Sequence, residues 1–169
     1  MKLDKLIKDK KICEIHLDNN TDTFDVGILF HENEESGFAK CFGKNGEFAH
    51  ILMFPRDYIY TLAYDTKYIA ELGIQDIDID SELSCCDWKS KEEVFAFLKN
   101  QNEFIAIDDY NDDEIAGGII IDFDDDSITL QSYDCENKNV DGFTIVNVSG
   151  YFCLRWGGKT KCVAKDGNN

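Results

Sequence analysis

Short runs in which apolar and polar residues alternate recur along this chain of 169 residues. The segments ICEIHL (12–17) and SITLQSY (127–133) carry apolar side chains at every second position, which is the period of a β-strand. Gly27 and the pair Gly117–Gly118 stand inside two other strand-like runs, where glycine indicates a bulge or a sharp bend. Segments rich in Asp, Asn and Gly separate the runs and are typical of turns. The pattern therefore predicts a mainly β protein with short, strongly bent strands.

Two short amphipathic helices are predicted, each directly followed by a strand. Ser90 stands three residues before Glu93, and this spacing forms a capping box at a helix N-terminus. Val94, Phe97 and Leu98 then lie on one apolar face of that helix. The same apolar spacing occurs near the N-terminus of the chain, ahead of its first strand.

The strand-like runs form an internal repeat. FDVGILF (24–30) matches IAGGIII (115–121), and GFAKCF (37–42) matches ITLQSY (128–133), both at an offset of 91. GEFAHILMF aligns with DGFTIVNVS at an offset of 95, from Phe48 to Phe143. The order and spacing of these matches predict one structural plan that is used twice.

Each predicted unit ends in the motif Thr-Lys-x-(Ile/Val)-Ala, which begins at Thr66 and again at Thr160. We interpret this segment as the closing element of each unit, either a last strand or a short terminal helix. Its apolar side would seal the core through Tyr68 and Ile69 in the first unit. Cys162 and Val163 would take that role in the second unit.

A short helix followed by five bent strands resembles the Sm-like or SH3-like barrels of small bacterial proteins. The features that carry the resemblance are Gly-Ile-(Ile/Leu) in the second strand, an aromatic third strand and Gly-Phe at the start of the fourth. It implies a β-rich α+β fold with two tandem small barrels, each preceded by a short helix. The expected units are 1–73 (first helix and barrel), 74–101 (connector with the Ser90-capped helix) and 102–169 (second barrel).

Charge narrows the class of partner. The chain has 34 acidic and 17 basic residues, a net charge of -17, and the excess is spread over both halves. A field of this sign repels nucleic-acid phosphates and attracts basic proteins, or it serves solubility alone. Sm proteins of the RNA-binding kind carry basic or Asn-rich loops, whereas the loops here contain NDDE and DFDDD.

The seven cysteines show no paired zinc-type spacing, and the N-terminal segment has no long apolar stretch. No window approaches the roughly 20 apolar residues of a membrane-spanning helix. We therefore expect a cytoplasmic protein with reduced thiols and no membrane contact. Cys85 and Cys86 are adjacent in the connector and are the expected exposed pair, and a redox role for them stays open.

No catalytic, metal or cofactor site is predicted. The segment DDYNDDE lacks the turn glycine and the final bidentate glutamate of a calcium loop, and no nucleophile elbow or phosphate loop occurs. Asp76, Asp78 and Asp80 alternate with isoleucines, so on a strand they would line one face. That face would bind a cation or basic side chains, or it would be the solvated face of an edge strand.

These features predict a non-enzymatic, acidic protein-binding module with a basic protein as its partner. Bacterial immunity proteins that neutralise basic nuclease toxins are similar in size, in acidity and in their expected cytoplasmic location. The expected contact residues are acidic or aromatic and lie in turns and in the connector: Asp109, Tyr110, Asp112, Asp113, Glu114, Asp122, Asp124, Asp125, Asp126, Asp76, Asp78, Asp80 and Trp88. Trp156 is a further exposed candidate, whereas Tyr58 and Tyr60 are assigned to the core.

Two alternatives remain open. The first is an Sm-like nucleic-acid-binding or regulatory protein, for which the one basic cluster is the set of lysines around the first helix: Lys2, Lys5, Lys8, Lys10 and Lys11. The second is an enzyme that uses aspartate clusters with a divalent metal. Clustering of Lys and Arg on a binding face is the feature that would favour the first of these over a protein-binding module.

Overall fold

The computed structural model describes residues 3–18, 22–75, 77–111, 113–134 and 139–158, and this part of the chain is mainly antiparallel β. Its ten strands are β1 (Ile12–Leu17), β2 (Asp25–Glu32), β3 (Ser36–Phe42), β4 (Phe48–Pro55), β5 (Ile59–Tyr64), β6 (Phe104–Asp108), β7 (Glu114–Phe123), β8 (Ser127–Asp134), β9 (Asn139–Asn147) and β10 (Cys153–Trp156). The helices are α1 (Asp4–Lys8), α2 (Lys67–Glu71), α3 (Ser81–Ser84) and α4 (Lys91–Asn100), and Arg56–Tyr58 forms a 3₁₀ turn. The predicted β-rich fold with short helices is confirmed.

All ten strands belong to one sheet, in the order β5-β1-β2-β3-β4-β10-β6-β7-β8-β9. The first five strands therefore follow the order fifth, first, second, third, fourth. The strands β6 to β10, numbered in the same way, follow that order again. The two halves of the chain thus repeat one strand order, as the internal repeat predicts, and they meet where β4 pairs with β10.

The repeat extends to irregularities within the strands. The β2–β3 ladder shifts register between Leu29 and His31, and the β7–β8 ladder shifts between Ile120 and Asp122, at the predicted offset of 91. The hairpin turns that follow are also alike, because Asn33 Oδ1 and Asp124 Oδ1 each accept backbone N–H groups of the turn. Such short polar side chains stabilise a turn by replacing a backbone acceptor.

The predicted alignment of the fourth strands is wrong by three residues. Leu52 pairs with Ala39 in the first half, and Thr144 pairs with Leu130 in the second, so the structural offset is 92 and not 95. Matching Phe48 to Phe143 aligned two aromatic residues, whereas the ladder aligns residues by their cross-strand partners. The fifth strands also correspond at an offset of 92, since Ile15 pairs with Leu62 and Ile107 with Leu154.

Neither half closes on itself through the pairings of the described strands. β5 and β9 are the two edges of the ten-stranded sheet. The expected pair of separate closed barrels is therefore not confirmed. Instead, β10 extends the sheet of the first half, so the strands of the two expected barrels are continuous with each other.

The two larger apolar cores among the described residues pack on the sheet. The first packs Leu3 and the half-buried side chains of α1 against buried residues of the first five strands, among them Ile15, Leu52 and Phe54. The second is larger and packs Val94, Phe95 and Leu98 of α4 against buried residues of β4, β6, β7, β8, β9 and β10. Each helix thus covers the unit that follows it, as the sequence predicts.

The start of α4 has the side-chain capping contacts that the sequence predicts. Ser90 Oγ accepts the backbone N–H of Glu93, and the Glu93 carboxylate accepts the N–H of Lys89, so α4 begins with side-chain caps. The first Thr-Lys motif forms α2, where Thr66 Oγ1 accepts the N–H of Ile69. Leu72 is the buried residue there and Tyr68 is exposed, which corrects the expected sealing role of Tyr68. The second motif lies outside the described residues.

Candidate functional site

Three tyrosine rings from both halves of the chain pack together at the surface. Tyr58 follows β4 in the 3₁₀ turn, Tyr110 lies in the turn between β6 and β7, and Tyr151 precedes β10. The ring centroids are 4.8 Å apart for Tyr58 and Tyr151, 5.1 Å for Tyr110 and Tyr151, and 6.0 Å for Tyr58 and Tyr110. All three pairs are edge-to-face, a geometry that aromatic quadrupoles favour.

Local backbone contacts hold this cluster in place. Pro55 ends β4, and the carbonyl of Tyr58 accepts the N–H of Asp18 at 2.9 Å, which fixes the 3₁₀ turn against the end of β1. The Tyr151 hydroxyl lies 3.4 Å from Cys153 Sγ. Tyr58 and Tyr151 are half-buried, whereas 46% of Tyr110 is exposed. Tyr110 is therefore an outward-facing ring supported from below by two others.

Acidic residues stand next to these rings in the chain. Asp57 precedes Tyr58 and is exposed, Asp109 precedes Tyr110, and Asp113 and Glu114 follow it as exposed side chains. We call the set Asp57, Tyr58, Asp109, Tyr110, Asp113, Glu114 and Tyr151 the tyrosine–acid patch. Asp109 also has a structural part, because its Oδ1 accepts the N–H groups of Asn111 and Asp113 at 2.9 and 3.1 Å.

A cleft of about 230 Å³ adjoins the patch and shares Tyr58 and Asp57 with it. One wall comes from residues 34–36, 53–55, 57 and 58 of the first half, and the other from Lys91, residues 148–150 and Phe152 of the second. Glu34, Glu35 and Asp57 give the first wall three carboxylates. Lys91 Nζ on the opposite wall donates to the backbone carbonyl of Val148 at 3.1 Å. We call this cleft the acidic cleft.

The second acidic turn lies at the far end of β7 from the patch. Asp122 is exposed on β7, and Asp125 and Asp126 are exposed in the turn that follows. Asp124 Oδ1 accepts the N–H groups of Asp126 and Ser127 and the Ser127 hydroxyl, and these bonds lower the pKa of its carboxyl group. The two turns thus occupy opposite ends of one strand, as predicted, and Asp124 shapes its turn.

The connector acids do not lie on a strand. Asp78 and Asp80 are exposed in an irregular segment between α2 and α3, and Lys40 Nζ donates to the backbone carbonyl of Asp78 at 2.9 Å. The expectation that alternating aspartates line a strand face is therefore wrong for these two residues. Asp76 and Asp112 lie outside the described residues.

Trp88 and Trp156 are buried, which removes both from the exposed candidates. Only 8% of Trp88 is exposed, and its ring packs between Phe38 and Trp156 in the second core. Its backbone carbonyl accepts a hydrogen bond from His31 Nε2 at 2.8 Å. The connector thus folds back over the sheet and carries Trp88 inward. Tyr60 shows the opposite error, since it was assigned to the core but is 65% exposed on the edge strand β5.

A charged network in which Asp108 is buried and the other members are half-buried joins the two halves near the β4–β10 junction. Arg155 on β10 forms ion pairs with Asp108 on β6 and with Asp25 on β2, the latter at 3.3 Å. His50 Nε2 on β4 lies 3.5 Å from the other oxygen of Asp25. Burial acts to raise the pKa of Asp25, but the hydrogen bond from His50 and the charge of Arg155 outweigh it and lower the pKa below its usual range.

Asp25, His50 and Cys41 also present ligating atoms within 4.8 Å of one another, the donor set of a transition-metal site. The chemistry favours the ion-pair network instead. Burial raises the pKa of the Cys41 thiol well above its usual range, so without a metal ion the thiol is protonated. The Arg155 guanidinium lies against the same carboxylate and would repel a cation there.

Four of the seven residues of the tyrosine–acid patch were identified from the sequence, whereas Asp57, Tyr58, Tyr151 and the charged network were not. Glu34, Glu35 and Tyr151 come near Tyr58 only through the pairing of β4 with β10 and the turns around it. One local signal exists, because the dipeptide Asp-Tyr occurs at both Asp57–Tyr58 and Asp109–Tyr110. Asp25, His50 and Arg155 carry no local signal.

The comparisons add no identity to this geometry. Comparison of the chain with protein-family models, with curated proteins and with solved structures gave no match. None of the helices that the structure describes is long and apolar enough to cross a membrane.

Proposed function

We propose that this protein is a non-enzymatic module that binds a basic protein through the tyrosine–acid patch and the acidic cleft. The observation that carries the proposal is Tyr110, an exposed aromatic ring that two other tyrosines support and that acidic side chains flank. Tyrosines of this kind are frequent anchors at protein interfaces because they bury a large area with few rotatable bonds.

The chemistry of the patch fits lysine and arginine side chains. The faces of tyrosine rings attract cations within about 6 Å of the ring centroid. Carboxylates on Asp57, Asp113 and Glu114 supply ion pairs around the rings, and such rim charges act mainly on partner choice and on the association rate. A basic protein therefore finds both an anchor and a complementary rim here.

The acidic cleft extends the same chemistry below the patch. Its volume of about 230 Å³ accommodates one long side chain, and the carboxylates of Glu34, Glu35 and Asp57 face it from one wall. A lysine or arginine of the partner that enters the cleft places its charge among these carboxylates. Its aliphatic stem packs on Pro55 and Tyr58, which also line the cleft and are half-buried.

The fold and the net charge support a more specific class of binding protein. A net charge of -17 on a small β protein matches an immunity-type inhibitor that neutralises a basic, nuclease-like toxin in the cytoplasm. The repeated strand order supports a tandem duplication of a small Sm-like or SH3-like unit. Nucleic-acid binding is the competing function, but the same charge opposes phosphate contacts, and Lys11 of the basic cluster is paired with Asp65 at 2.7 Å.

The test compares two variants with equal changes in charge and in aromatic content. The patch variant carries Tyr110→Ala, Asp113→Asn and Glu114→Gln. The control carries Tyr68→Ala, Asp125→Asn and Asp126→Asn, which change another exposed tyrosine and the opposite turn. Asp109 and Asp124 stay unchanged in both variants because their carboxylates shape the turns. A basic protein captured by the wild type and the control, but lost from the patch variant, supports the proposal.

Kinetics then distinguish binding from mere solubility. For the captured protein, the association rate is expected to fall steeply as ionic strength rises, and the patch variant is expected to dissociate faster than the control. Equal binding by both variants, or a rate that does not depend on salt, contradicts the proposal. Micromolar binding of single-stranded RNA or DNA at physiological salt, measured by fluorescence anisotropy, favours the competing function.

A further inference from the structure

The two edges of the sheet carry the same kinds of strand as its internal junction. At that junction the fourth strand of the first half, β4, pairs with the fifth strand of the second half, β10. Among the described strands, β9 pairs with β8 alone and β5 with β1 alone. The sheet therefore ends in a fourth strand, β9, at one edge and in a fifth strand, β5, at the other.

The internal junction buries large apolar side chains. Met53 of β4 stands opposite Leu154 of β10, and Ile51 stands opposite Trp156. Each of these four side chains is 5% exposed or less. They pack together in the second core, so the junction is a continuous part of the protein interior.

The equivalent positions of β9 are apolar but exposed. At the offset of 92 that relates the fourth strands, Phe143 corresponds to Ile51 and Ile145 to Met53. Phe143 is 66% exposed and Ile145 is 74% exposed. Edge strands of soluble proteins usually carry charges or other features that prevent pairing with another chain, so two large apolar side chains here indicate a contact surface.

The equivalent positions of β5 show the complementary pattern. Tyr64 corresponds to Trp156 and Leu62 to Leu154, by the same offset of 92. Leu62 is half-buried and Tyr64 is 49% exposed. Leu62 packs against the first core, and Lys11 Nζ lies 5.7 Å from the centroid of the Tyr64 ring. Both edges thus keep the apolar residue types of the junction, and Tyr64, Phe143 and Ile145 keep a large exposed fraction.

We propose that copies of this chain join head to tail, with β9 of one copy pairing antiparallel with β5 of the next. The internal junction gives the register. Tyr64 would stand opposite Phe143, Leu62 opposite Ile145, and Ala63 opposite Thr144. Aromatic and branched aliphatic pairs stabilise adjacent strands, and the pair of Ala63 with Thr144 buries no charge.

Such contacts are heterologous, since two different edges meet. Copies that associate in this way form a ring if the rotation between them closes and an open chain if it does not. Each copy carries a net charge of -17, so salt should strengthen the association by screening the repulsion. Binding of a basic partner has the opposite salt dependence, so the two interactions are distinguishable.

The test uses sedimentation velocity of the full chain over a range of concentrations, at low and at high sodium chloride. The wild type is expected to form larger species that increase with concentration and with salt. Ile145→Asp blocks β9 and Tyr64→Asp blocks β5, and each variant alone is expected to be monomeric. An equimolar mixture of the two is expected to form a dimer and nothing larger, because each variant retains one complementary edge.

Ile121→Asp is the matched control. Ile121 is 39% exposed on β7, away from both edges, and its substitution adds the same charge, so this variant is expected to assemble like the wild type. Circular dichroism checks that each variant is folded, and Ile145→Ser and Tyr64→Ser replace any aspartate variant that is not. A wild type that stays monomeric at all concentrations overturns the proposal. So does a mixture of blocked variants that forms no dimer, or a blocked variant that still assembles.

Discussion

The two halves of the molecule have the same strand order, but their fourth strands lie in opposite environments. β4 is central in the sheet, and both its faces are covered, one by each core. β9 is an edge, and its outer face carries exposed Phe143 and Ile145. The repeated pattern of residues therefore specifies a strand and its inner face. Whether the outer face is buried depends on what stands beside it.

The charged network shows a second difference between the halves. Its members in the sheet are Asp25, His50, Asp108 and Arg155. The equivalent positions in the other half hold Ala116, Gly142, His16 and Ala63. The network is thus confined to the junction and is not part of the repeat. We infer that it specifies how the two halves join, whereas the apolar repeat specifies how each half folds.

The largest expected effect comes from breaking this network. Arg155→Met removes the cation between Asp25 and Asp108 and leaves the buried carboxylate of Asp108 and the half-buried carboxylate of Asp25 without it. Loss of one partner of a buried ion pair costs about 3–5 kcal/mol, and because Arg155 and Asp25 are half-buried, urea denaturation should show a loss near the lower end of that range in the free energy of unfolding. Lys67→Met, in the exposed pair with Glu71, is the control and should change it by less than about 1 kcal/mol.

Adding Asp108→Asn to Arg155→Met sharpens this prediction. The second substitution removes the charge of Asp108, which Arg155→Met leaves without its cation, so the double variant should regain part of the lost stability. If Asp108→Asn lowers the free energy of unfolding by the same amount in the wild type and in Arg155→Met, the two residues act independently. The network would then have no special part in joining the halves.

A second prediction compares equivalent glycines in the two halves. A Cβ at Gly118 would lie 2.3 Å from the Gln131 carbonyl oxygen, and one at Gly27 would lie 2.9 Å from the Lys40 carbonyl oxygen. Both contacts are with backbone, so Gly118→Ala and Gly27→Ala should each destabilise the protein by about 1–3 kcal/mol, and Gly118→Ala more. Thermal unfolding of Gly150→Ala gives the baseline, because a Cβ there meets nothing within 4 Å.

Helix caps provide a smaller effect. Ser90→Ala removes the acceptor for the N–H of Glu93 and should cost about 1 kcal/mol in urea denaturation. Thr66→Ala removes the corresponding acceptor at α2, a helix of only five residues at the surface. Its cost should be smaller than that of Ser90→Ala, because α4 carries three buried side chains of the second core and α2 carries none. The reverse order would show that the hydrogen bond which the Thr66 hydroxyl also donates to the Glu14 carboxylate adds more stability than the cap.

The last prediction concerns how the free energy of unfolding depends on pH in the acidic range. Asp25 has a lowered pKa in the folded state, so its ionised form contributes stability above the usual value of 3.8. That contribution is lost as pH falls through the lower, folded-state pKa. The stability difference between the wild type and Asp25→Asn should therefore be constant near neutral pH and shrink below about pH 4. A difference that stays the same down to full protonation would contradict the assigned pKa direction.

The candidate site shows why prediction from the sequence was only partly successful. Tyr110 and the acids around it were identified because they stand together in one turn. Tyr58 and Tyr151 were not, since their contact with Tyr110 depends on the β4–β10 pairing between distant parts of the chain. Trp88 was misplaced for a related reason, because a tryptophan among acids in a connector reads as exposed until the connector packs on the sheet.

By itself, the sequence determined most of the strands, the helices α1 and α4, and the repeat. Alternating polarity, bend glycines, turn residues and the Ser90 cap act over a few residues, so they can be read without the tertiary structure. Only the tertiary structure decided that the two halves share one sheet, and that Arg155 meets Asp25 and Asp108. The physical reason is that edge pairing uses backbone groups common to every strand. Which edges meet is therefore settled by packing and charge between residues far apart in the chain.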